Sequence, residues 1–229
     1  YNGAAAIWKN GVPYRLSVYR GRLSGSTKFS GISGQGLVGS TIEVLKGGLP
    51  YYTIHIAGVR TTGVTFAVGA PDPVEVYTMQ WTTPTATVAS RQPLCNSVLA
   101  GTYDEKLNEL LGMYPTETLV FEGDRFDAVR KTVSATADDT WFNFGCAGHT
   151  LAKLYLTRNT IHTQTQPEWR IRQAMLKMYT GDYCGTGDEF TLAGEPIAWK
   201  GGVLADYPSY VHPTTLDARW DETGAVCLG

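Results

Sequence analysis

Charged residues are scarce in this chain of 229 residues. Lys, Arg, Asp and Glu make up 17% of it, below the ~25% of an average soluble domain. The net charge is −2, whereas a dedicated nucleic-acid binder needs a basic excess to displace phosphate counterions. No run of apolar residues approaches the ~20 that a membrane-spanning helix requires. We therefore expect neither a nucleic-acid partner nor a transmembrane segment.

Motifs of the common catalytic and metal-binding chemistries are also missing. The nearest approach to a G-x-S-x-G nucleophile turn is the run at 31–35, where Gln35 stands in place of the closing glycine. No histidine has the H-x-x-x-H spacing of a metal-binding helix, and no acidic run matches the calcium loop of an EF-hand. These absences favour a protein that is not an enzyme and has neither metal nor cofactor. The histidines are His55, His149, His162 and His212.

Cys146 and His149 are the closest match to a nucleophile with its base. A spacing of three residues would place them on one face of a helix, with Asn143 or Asp139 as the third group. A disulfide at Cys146 would remove the nucleophile, because only a thiolate attacks. The favoured interpretation is therefore a helix start held by a disulfide. A secreted hydrolase without a recognised motif remains as an alternative.

Three pairs of neighbouring carboxylates could serve in acid–base chemistry: Asp138-Asp139, Asp188-Glu189 and Asp221-Glu222. Neighbours in a strand point to opposite faces, and solvated loop carboxylates are the ordinary case. The third pair follows Trp220, a combination that resembles a sugar-stacking site. The acidic residues considered as calcium ligands are Asp72, Asp124, Asp127 and Asp188.

Apolar residues amount to 43% of the chain, with 13 Tyr and 6 Trp, which is enough to bury a core. In the first ninety residues they alternate with polar ones, as in Tyr14, Leu16 and Val18, which is typical of a strand with one buried face. Turn signals such as Asn10-Gly11 and Gly47-Gly48 separate the alternating runs. We predict a mainly β fold, an antiparallel sandwich or barrel-like sheets. The predicted strands are 12–20, 41–45, 52–56, 74–81, 118–121 and 126–133, with further short strands in 190–228.

Two short helices are predicted in the C-terminal half, at 147–156 and 166–179. In the second helix, Pro167 suits the first turn and Gly181 suits the position after the last. A weaker helical pattern covers 104–111. The remaining segments are a glycine-rich stretch, 21–39, predicted as a flexible or wide loop, and a Pro- and Thr-rich stretch, 82–93. The latter is either an edge strand or the boundary between a β-rich region, 1–92, and a disulfide-containing domain, 93–229, unless both form one continuous domain.

The four cysteines are Cys95, Cys146, Cys184 and Cys227. An even number suits a disulfide framework, and four cysteines allow three pairings. No C-x-x-C pair occurs, which disfavours a zinc site. Disulfides persist outside the cytosol, so we expect a secreted protein that is extracellular or on the cell surface.

Seven short motifs follow one another from Pro93 to Leu228. They are Pro93-Leu94-Cys95, Phe144-Gly145-Cys146, Thr150-Leu151-Ala152-Lys153, Gly181-Asp182-Tyr183-Cys184, Gly194-Glu195-Pro196-Ile197, Ala218-Arg219-Trp220 and Gly224-Ala225-Val226-Cys227-Leu228. This ordered set resembles the ADYC domain family of secreted or lipid-anchored proteins. The family takes its name from an Ala-Asp-Tyr-Cys motif, in which Gly181 replaces the alanine here.

The resemblance implies export and a cell-envelope or extracellular setting, and it supplies no activity. Relatives carry two further cysteines, and here their places are held by Leu154 and by residues 172–174. Since both are missing together, the resemblance implies that the remaining cysteines pair as Cys95–Cys146 and Cys184–Cys227.

Our first functional hypothesis is a secreted structural subunit that self-associates into filaments or oligomers through β-strand addition. The alternative is an extracellular binding module whose Tyr and Trp side chains contact a carbohydrate or a protein, such as a glycan or another cell-surface partner. For the first hypothesis, the segment that would dock on a partner is apolar and short: Ala4, Ala5, Ala6, Ile7 and Trp8.

Overall fold

The computed structural model describes residues 4–62, 74–84, 90–95, 113–114, 116–161, 167–190 and 218–228. The chain divides into two compact units. Unit 1 comprises Tyr1–Val64, Asp72–Phe121 and Phe144–Ala147, and unit 2 comprises Thr65–Pro71, Glu122–Asn143 and Gly148–Gly229. The division expected between residues 92 and 93 falls within unit 1, and it stays a prediction.

Strands dominate the described residues, and two helices lie in the second half of the chain, which confirms the predicted fold class. The helices are α1 (Thr150–Leu156) and α2 (Trp169–Thr180). The strands are β1 (Ala4–Lys9), β2 (Val12–Tyr19), β3 (Arg22–Ser26), β4 (Gly31–Ser33), β5 (Thr41–Lys46), β6 (Leu49–Thr62), β7 (Val74–Thr82), β8 (Gln92–Pro93), β9 (Glu117–Gly123), β10 (Phe126–Asp127), β11 (Thr132–Val133), β12 (Asp138–Cys146), β13 (Ala218–Asp221) and β14 (Gly224–Leu228).

Ten of the described strands form one antiparallel sheet in the order β12-β9-β7-β6-β5-β1-β2-β3-β4, with β8 also paired to β7. A row of cross-strand partners runs through its middle: Ile7 lies opposite Ile42, Ile42 opposite Ile54, and Ile54 opposite Trp81. The three isoleucines are at most 3% exposed. Burying an aliphatic side chain of this size stabilises a fold by about 1.5–3 kcal/mol, so this row anchors the register of four strands.

The sheet curls back on itself. The phenol oxygen of Tyr77 in β7 accepts a hydrogen bond from the Leu23 N–H of β3 at 2.8 Å and donates one to Glu75 at 2.6 Å. Four strands lie between β7 and β3, so these two would be about 24 Å apart in a flat sheet with a spacing of ~4.8 Å. A direct hydrogen bond between them therefore requires the sheet to be strongly curved.

The N-terminal segment Ala4–Trp8 lies inside this sheet. As part of β1 it pairs with β2 on one side and with β5 on the other. A two-residue turn joins it to β2, with Asn10 at φ 51° and Gly11 at φ 76°, as the sequence predicts. Both edges of the proposed docking segment are therefore occupied by strands of the same chain.

The glycine-rich stretch 21–39 was predicted as a loop, and this prediction is wrong. It contains β3, β4 and a 3₁₀ turn at Gly34–Leu37. One glycine of this stretch is required by close packing, because a Cβ atom on Gly25 would lie 2.8 Å from Cβ of Tyr14. A composition that is typical of a loop therefore does not exclude a strand.

Unit 2 has a small core between its helices and the β10–β11 hairpin. The buried side chains are those of Val133, Leu154, Met175, Leu176 and Tyr179. Both predicted helices are present, although α2 begins after Pro167, not on it. The predicted strand 126–133 is instead the two short strands of the hairpin. The helical pattern at 104–111 lies outside the described residues, as does 191–217 of the C-terminal segment.

No helix in the described part of the chain has both the length and the hydropathy needed to span a bilayer.

Candidate functional site

One face of α2 is polar although it is buried. Arg172, Gln173 and Lys177 lie on one side of the helix and are 1–3% exposed. Gln173 accepts a hydrogen bond from the Val133 N–H at 2.9 Å and donates one to the Lys131 carbonyl at 2.8 Å. The helix therefore satisfies one backbone group of the short strand β11 and one of the residue before it, where no long strand pairing is present to satisfy them.

Arg172 forms the first of two buried ion pairs on this face. Its Nε donates to Asp124 Oδ1 at 3.1 Å, and Asp124 Oδ2 accepts from the Ile161 N–H at 2.8 Å. The other guanidinium nitrogens donate to the carbonyls of Pro167 and Ser134, at 2.8 and 2.9 Å. Both carboxylate oxygens thus have protein donors, so Asp124 holds the fold together and is poorly suited to calcium.

The second buried pair joins α2 to the segment 181–187, here called the motif loop because it begins with Gly-Asp-Tyr-Cys. Gly181 ends α2 in the left-handed conformation, with φ 62°, as the sequence predicts. Asp182 is fully buried, and its Oδ2 accepts hydrogen bonds from Lys177 Nζ and from the Gly187 N–H. The acidic residue of the family motif therefore neutralises a buried lysine and closes the loop.

Two glycines in the motif loop are required by close backbone contacts. Gly185 has φ 71°, and a Cβ there would lie 2.0 Å from the Thr223 carbonyl oxygen. Gly187 has φ 94°, and its Cβ would lie 2.2 Å from the Val129 carbonyl oxygen. Real Cβ atoms are not found at such distances, so the loop packs against β10–β11 and β13–β14 at positions where only glycine fits.

Three aromatic side chains meet where the motif loop contacts the C-terminal hairpin. The Ala225 N–H donates to the Tyr183 carbonyl at 3.0 Å, which fixes β14 beside the loop. The Tyr183 ring lies 4.8 Å from the Trp220 ring and 6.1 Å from the Phe190 ring, centroid to centroid. Phe190 is 66% exposed. These residues, Tyr183, Phe190 and Trp220, are called the aromatic cluster below.

Charged groups flank the aromatic cluster along β13 and its turn. Glu222, two residues after Trp220, pairs with Arg170 at 3.3 Å. Asp221 accepts hydrogen bonds from the side chain and the backbone N–H of Thr223, at 2.6 and 2.7 Å. These two bonds lower the pKa of Asp221. This combination of partly exposed rings, carboxyl groups and a guanidinium can both stack on a ligand and form hydrogen bonds with it.

The predicted Cys95–Cys146 disulfide is present, with its Cα atoms 5.3 Å apart. It removes Cys146 as a nucleophile, which disfavours the cysteine hydrolase hypothesis. Cys184 is exposed and has no disulfide partner among the described residues, and the side chain of Cys227 lies outside them. The Cys184–Cys227 pairing therefore stays a prediction.

Two of the four histidines, His55 and His149, are among the described residues. His55 Nε2 lies 3.0 Å from Thr82 Oγ1, and burial together with the nearby Arg91 charge lowers its pKa. His149 precedes α1, and its pKa is lowered by partial burial and by the Lys153 charge. No group of three or more His, Cys, Asp or Glu side chains in the described ranges could hold a metal ion. Outside the described residues lie His162 and His212.

The remaining carboxylate pairs also have local partners. Asp138 accepts hydrogen bonds from the side chain and backbone of Thr140, which lower its pKa. Glu189 pairs with Lys131 at 2.7 Å. Of the aromatic cluster, the sequence singled out Trp220 but missed Phe190, which follows the charged pair at 188–189 and looks like part of a solvated loop. The sequence feature that could have identified Phe190 is its position three residues after the motif loop, close to Tyr183.

A family model described as the ADYC domain matches residues 34–229. The match begins well before Pro93, where the motifs of the resemblance start, and takes in β5, β6 and β7. No curated protein and no solved structure matches the chain.

Proposed function

The chain belongs to the ADYC domain family, and we propose that it is an exported binding module that holds a carbohydrate against the aromatic cluster. One observation carries the proposal: Tyr183, Phe190 and Trp220 form a partly exposed group of rings, fixed by backbone contacts at the motif loop.

A carbohydrate fits this surface better than an apolar ligand does. Sugar rings present apolar C–H faces that stack on aromatic rings, and their hydroxyl groups need hydrogen-bond partners. Glu222 lies in the turn after β13, two residues from Trp220, and its carboxylate pairs with the guanidinium of Arg170 in α2. These two groups can supply the hydrogen bonds. Because the motif loop is held by the buried Lys177–Asp182 pair, the rings are positioned before a ligand arrives, which reduces the entropic cost of binding.

Export is part of the proposal because of the Cys95–Cys146 disulfide. Such bonds persist in oxidising compartments and are rare in the cytosol. Glycans of the envelope and the extracellular matrix would then be the available ligands.

The proposal is tested by depletion from solution onto insoluble polysaccharides. The protein is incubated with cellulose, chitin and purified peptidoglycan, and the unbound fraction is measured. We expect retention on at least one of them, weakened about fivefold or more by Phe190→Ala and further by Trp220→Ala, since an aromatic contact contributes about 0.5–1.5 kcal/mol beyond its buried area.

Phe29→Ala is the matched control, because Phe29 is 90% exposed and belongs to unit 1. It should bind as the unsubstituted protein does. Retention that is equal for all three variants would mean that the aromatic cluster is not the site, and no retention on any polysaccharide would reject the carbohydrate.

Assembly through a sheet edge is the second candidate function. It is favoured by β4, which in the described sheet pairs only with β3, so its other edge can accept a strand from another molecule. The segment Ala4–Trp8 cannot serve unless β1 leaves both of its neighbours. Light scattering and negative-stain electron microscopy test this candidate function. Filaments or rings would support assembly, and uniform particles of monomer mass would rule it out.

A further inference from the structure

The first sheet strands carry a charge opposite to that of the rest of the chain. Residues 4–62 contain seven Lys or Arg residues and one acidic residue, Glu43, giving +6, whereas the remaining residues sum to −8. Five of the seven are exposed, while Glu43 is half-buried. The exposed bases are Arg15, Arg20, Arg22, Lys28 and Lys46.

Two hairpins present three of these charges, those of Arg20, Arg22 and Lys46, at the same end of the sheet. The β2–β3 turn and the β5–β6 turn both lie at the end where β1 begins, because β1 runs antiparallel to β2 and to β5. Ala4, the first residue of β1, pairs with Val44, so Lys46 projects past it. Tyr19 likewise lies beyond the paired part of β1. With β1 between them, the two hairpins are about 10 Å apart.

The two hairpins have the same design. In each, a two-residue turn with positive φ at both positions joins a strand pair: Arg20 and Gly21 in one, Gly47 and Gly48 in the other. This turn type matches the twist of the strands and gives a rigid, narrow end. The flanking cross-strand pairs are Tyr19 with Arg22 and Lys46 with Leu49.

Both hairpins also expose an apolar or aromatic side chain next to a cation. The Arg20 guanidinium lies 5.4 Å from the Tyr19 ring centroid, and Lys46 Nζ lies 4.8 Å from that of Tyr51. Leu49 is 72% exposed and Tyr19 is 66% exposed. The residues called the basic end below are Tyr19, Arg20, Arg22, Lys46, Leu49 and Tyr51.

We propose that the basic end docks unit 1 on an anionic lipid bilayer surface. Lys and Arg are attracted to anionic headgroups, Tyr rings favour the interface between headgroups and acyl chains, and an exposed leucine at a hairpin tip gains by leaving water. A soluble polyanion would satisfy the bases and leave Leu49 in water, which is why the bilayer is favoured over it.

The proposal is independent of carbohydrate binding, because it uses a different unit of the chain and different residues. It is tested by co-sedimentation of the full chain with vesicles of three parts phosphatidylcholine to one part phosphatidylglycerol. Vesicles of phosphatidylcholine alone, and dextran sulfate in solution, are the comparison ligands. We expect binding to the anionic vesicles that weakens as salt is raised.

Two variants remove the two contributions separately. Arg22→Gln with Lys46→Gln should weaken binding to the anionic vesicles about 25-fold, since each basic residue near an anionic surface contributes a factor of about five. Leu49→Ser should weaken binding to the anionic vesicles at least about tenfold, because the leucine side chain no longer gains by leaving water, while leaving any binding to dextran sulfate unchanged. All three positions are exposed on the surface, so the folded state should tolerate them.

The matched control is Lys28→Gln with Phe29→Ser, at the opposite end of the strands. There Lys28 Nζ lies 5.5 Å from the centroid of the Phe29 ring. This turn therefore also presents a cation beside an aromatic side chain, but at the other end of the sheet. Binding should be unchanged in this control. Equal binding to both kinds of vesicle, a larger loss in the control than at the basic end, or binding to dextran sulfate with none to vesicles would each overturn the proposal.

Discussion

Lys177 donates a hydrogen bond to the carboxylate of Asp182, and the two side chains are 3% and 0% exposed. The pair spans the end of α2, where Gly181 turns the chain into the motif loop. A buried ion pair costs free energy to desolvate, and removing only one partner leaves an uncompensated charge. In this chain the aspartate of the Gly-Asp-Tyr-Cys motif therefore has a structural role, because it neutralises Lys177 and fixes the motif loop.

Replacing Asp182 by Asn should destabilise the protein by about 3–5 kcal/mol, because Lys177 keeps its buried charge and loses the opposite one. Urea unfolding followed by tryptophan fluorescence measures the change. Asp188→Asn, at an exposed position, is the control and should change stability by less than about 0.5 kcal/mol. Lys177→Met with Asp182→Leu should recover part of the loss. Equal stability of the Asp182→Asn and Asp188→Asn variants would contradict a stabilising role of the Lys177–Asp182 pair.

Gly187→Ala should destabilise the protein by at least 1–3 kcal/mol, because the residue has φ 94° and the new Cβ would meet the Val129 carbonyl oxygen. Gly36→Ala is the control, since a Cβ there meets nothing within 4 Å and no left-handed backbone is required. Its stability should be unchanged or slightly higher. Thermal unfolding of both variants checks the difference, and a smaller loss at Gly187 than at Gly36 would be incompatible with the described loop.

Stability should fall as the pH decreases from about 7.5 to 5.5, because the pKa values of His55 and His149 are lowered from 6.5 by folding. The unfolded chain then binds more protons than the folded one in this range, so stability rises with pH and is lost as the pH falls through 6.5. Replacing both histidines by Gln should reduce the dependence of the free energy of unfolding on pH in this range. The urea midpoint is measured at a series of pH values. The same pH dependence of the midpoint in the double variant and in the unsubstituted protein would contradict the prediction.

A second pH window belongs to carboxylates. Asp127, Asp138 and Asp221 accept hydrogen bonds from nearby backbone or side-chain donors, which lower their pKa values. Their contribution is present above about pH 3.8 and is lost as the pH falls through the lowered values. Because the histidine and aspartate effects fall in different pH ranges, one series of stability measurements over pH distinguishes them.

Removing the Cys95–Cys146 disulfide should cost about 4 kcal/mol, the chain-entropy value for a separation of 51 residues. The double variant Cys95→Ala with Cys146→Ala keeps one small apolar residue at each position, so packing changes little. Its urea midpoint is compared with that of the oxidised protein. Coincident midpoints would show that the bond contributes nothing, and peptide mapping without reduction would then be expected to lack the 95–146 link.

Turns and helix ends could be predicted from the sequence, because their conformation depends on one or two neighbouring residues. Asn10-Gly11 marks a hairpin because both residues adopt positive φ, and Gly181 marks the end of α2 for the same reason. The prediction for the stretch 21–39 was wrong because Gly25 of β3 is required by the neighbouring Tyr14 side chain, a contact between strands that composition does not reveal. The place of β1 between two strands was missed because an apolar segment looks the same whether its partner is internal or external.

The candidate site depended still more on distant contacts. The sequence contains Lys177 and Asp182 five residues apart, but their burial is set by β11 and by the glycines of the motif loop. Trp220 was noticed because carboxylates follow it, whereas its contact with Tyr183 joins positions 37 residues apart. Such pairings follow from the fold and cannot be obtained from spacing along the chain.

The most direct test of carbohydrate binding is saturation-transfer difference NMR with a soluble oligosaccharide of the polysaccharide that retains the protein. Irradiating aromatic protons should transfer saturation to the C–H protons on one face of the sugar. The transfer should be lost in the Trp220→Ala variant and kept in Phe29→Ala. Transfer of equal strength in both variants, or to both faces of the sugar alike, would contradict stacking on Tyr183, Phe190 and Trp220.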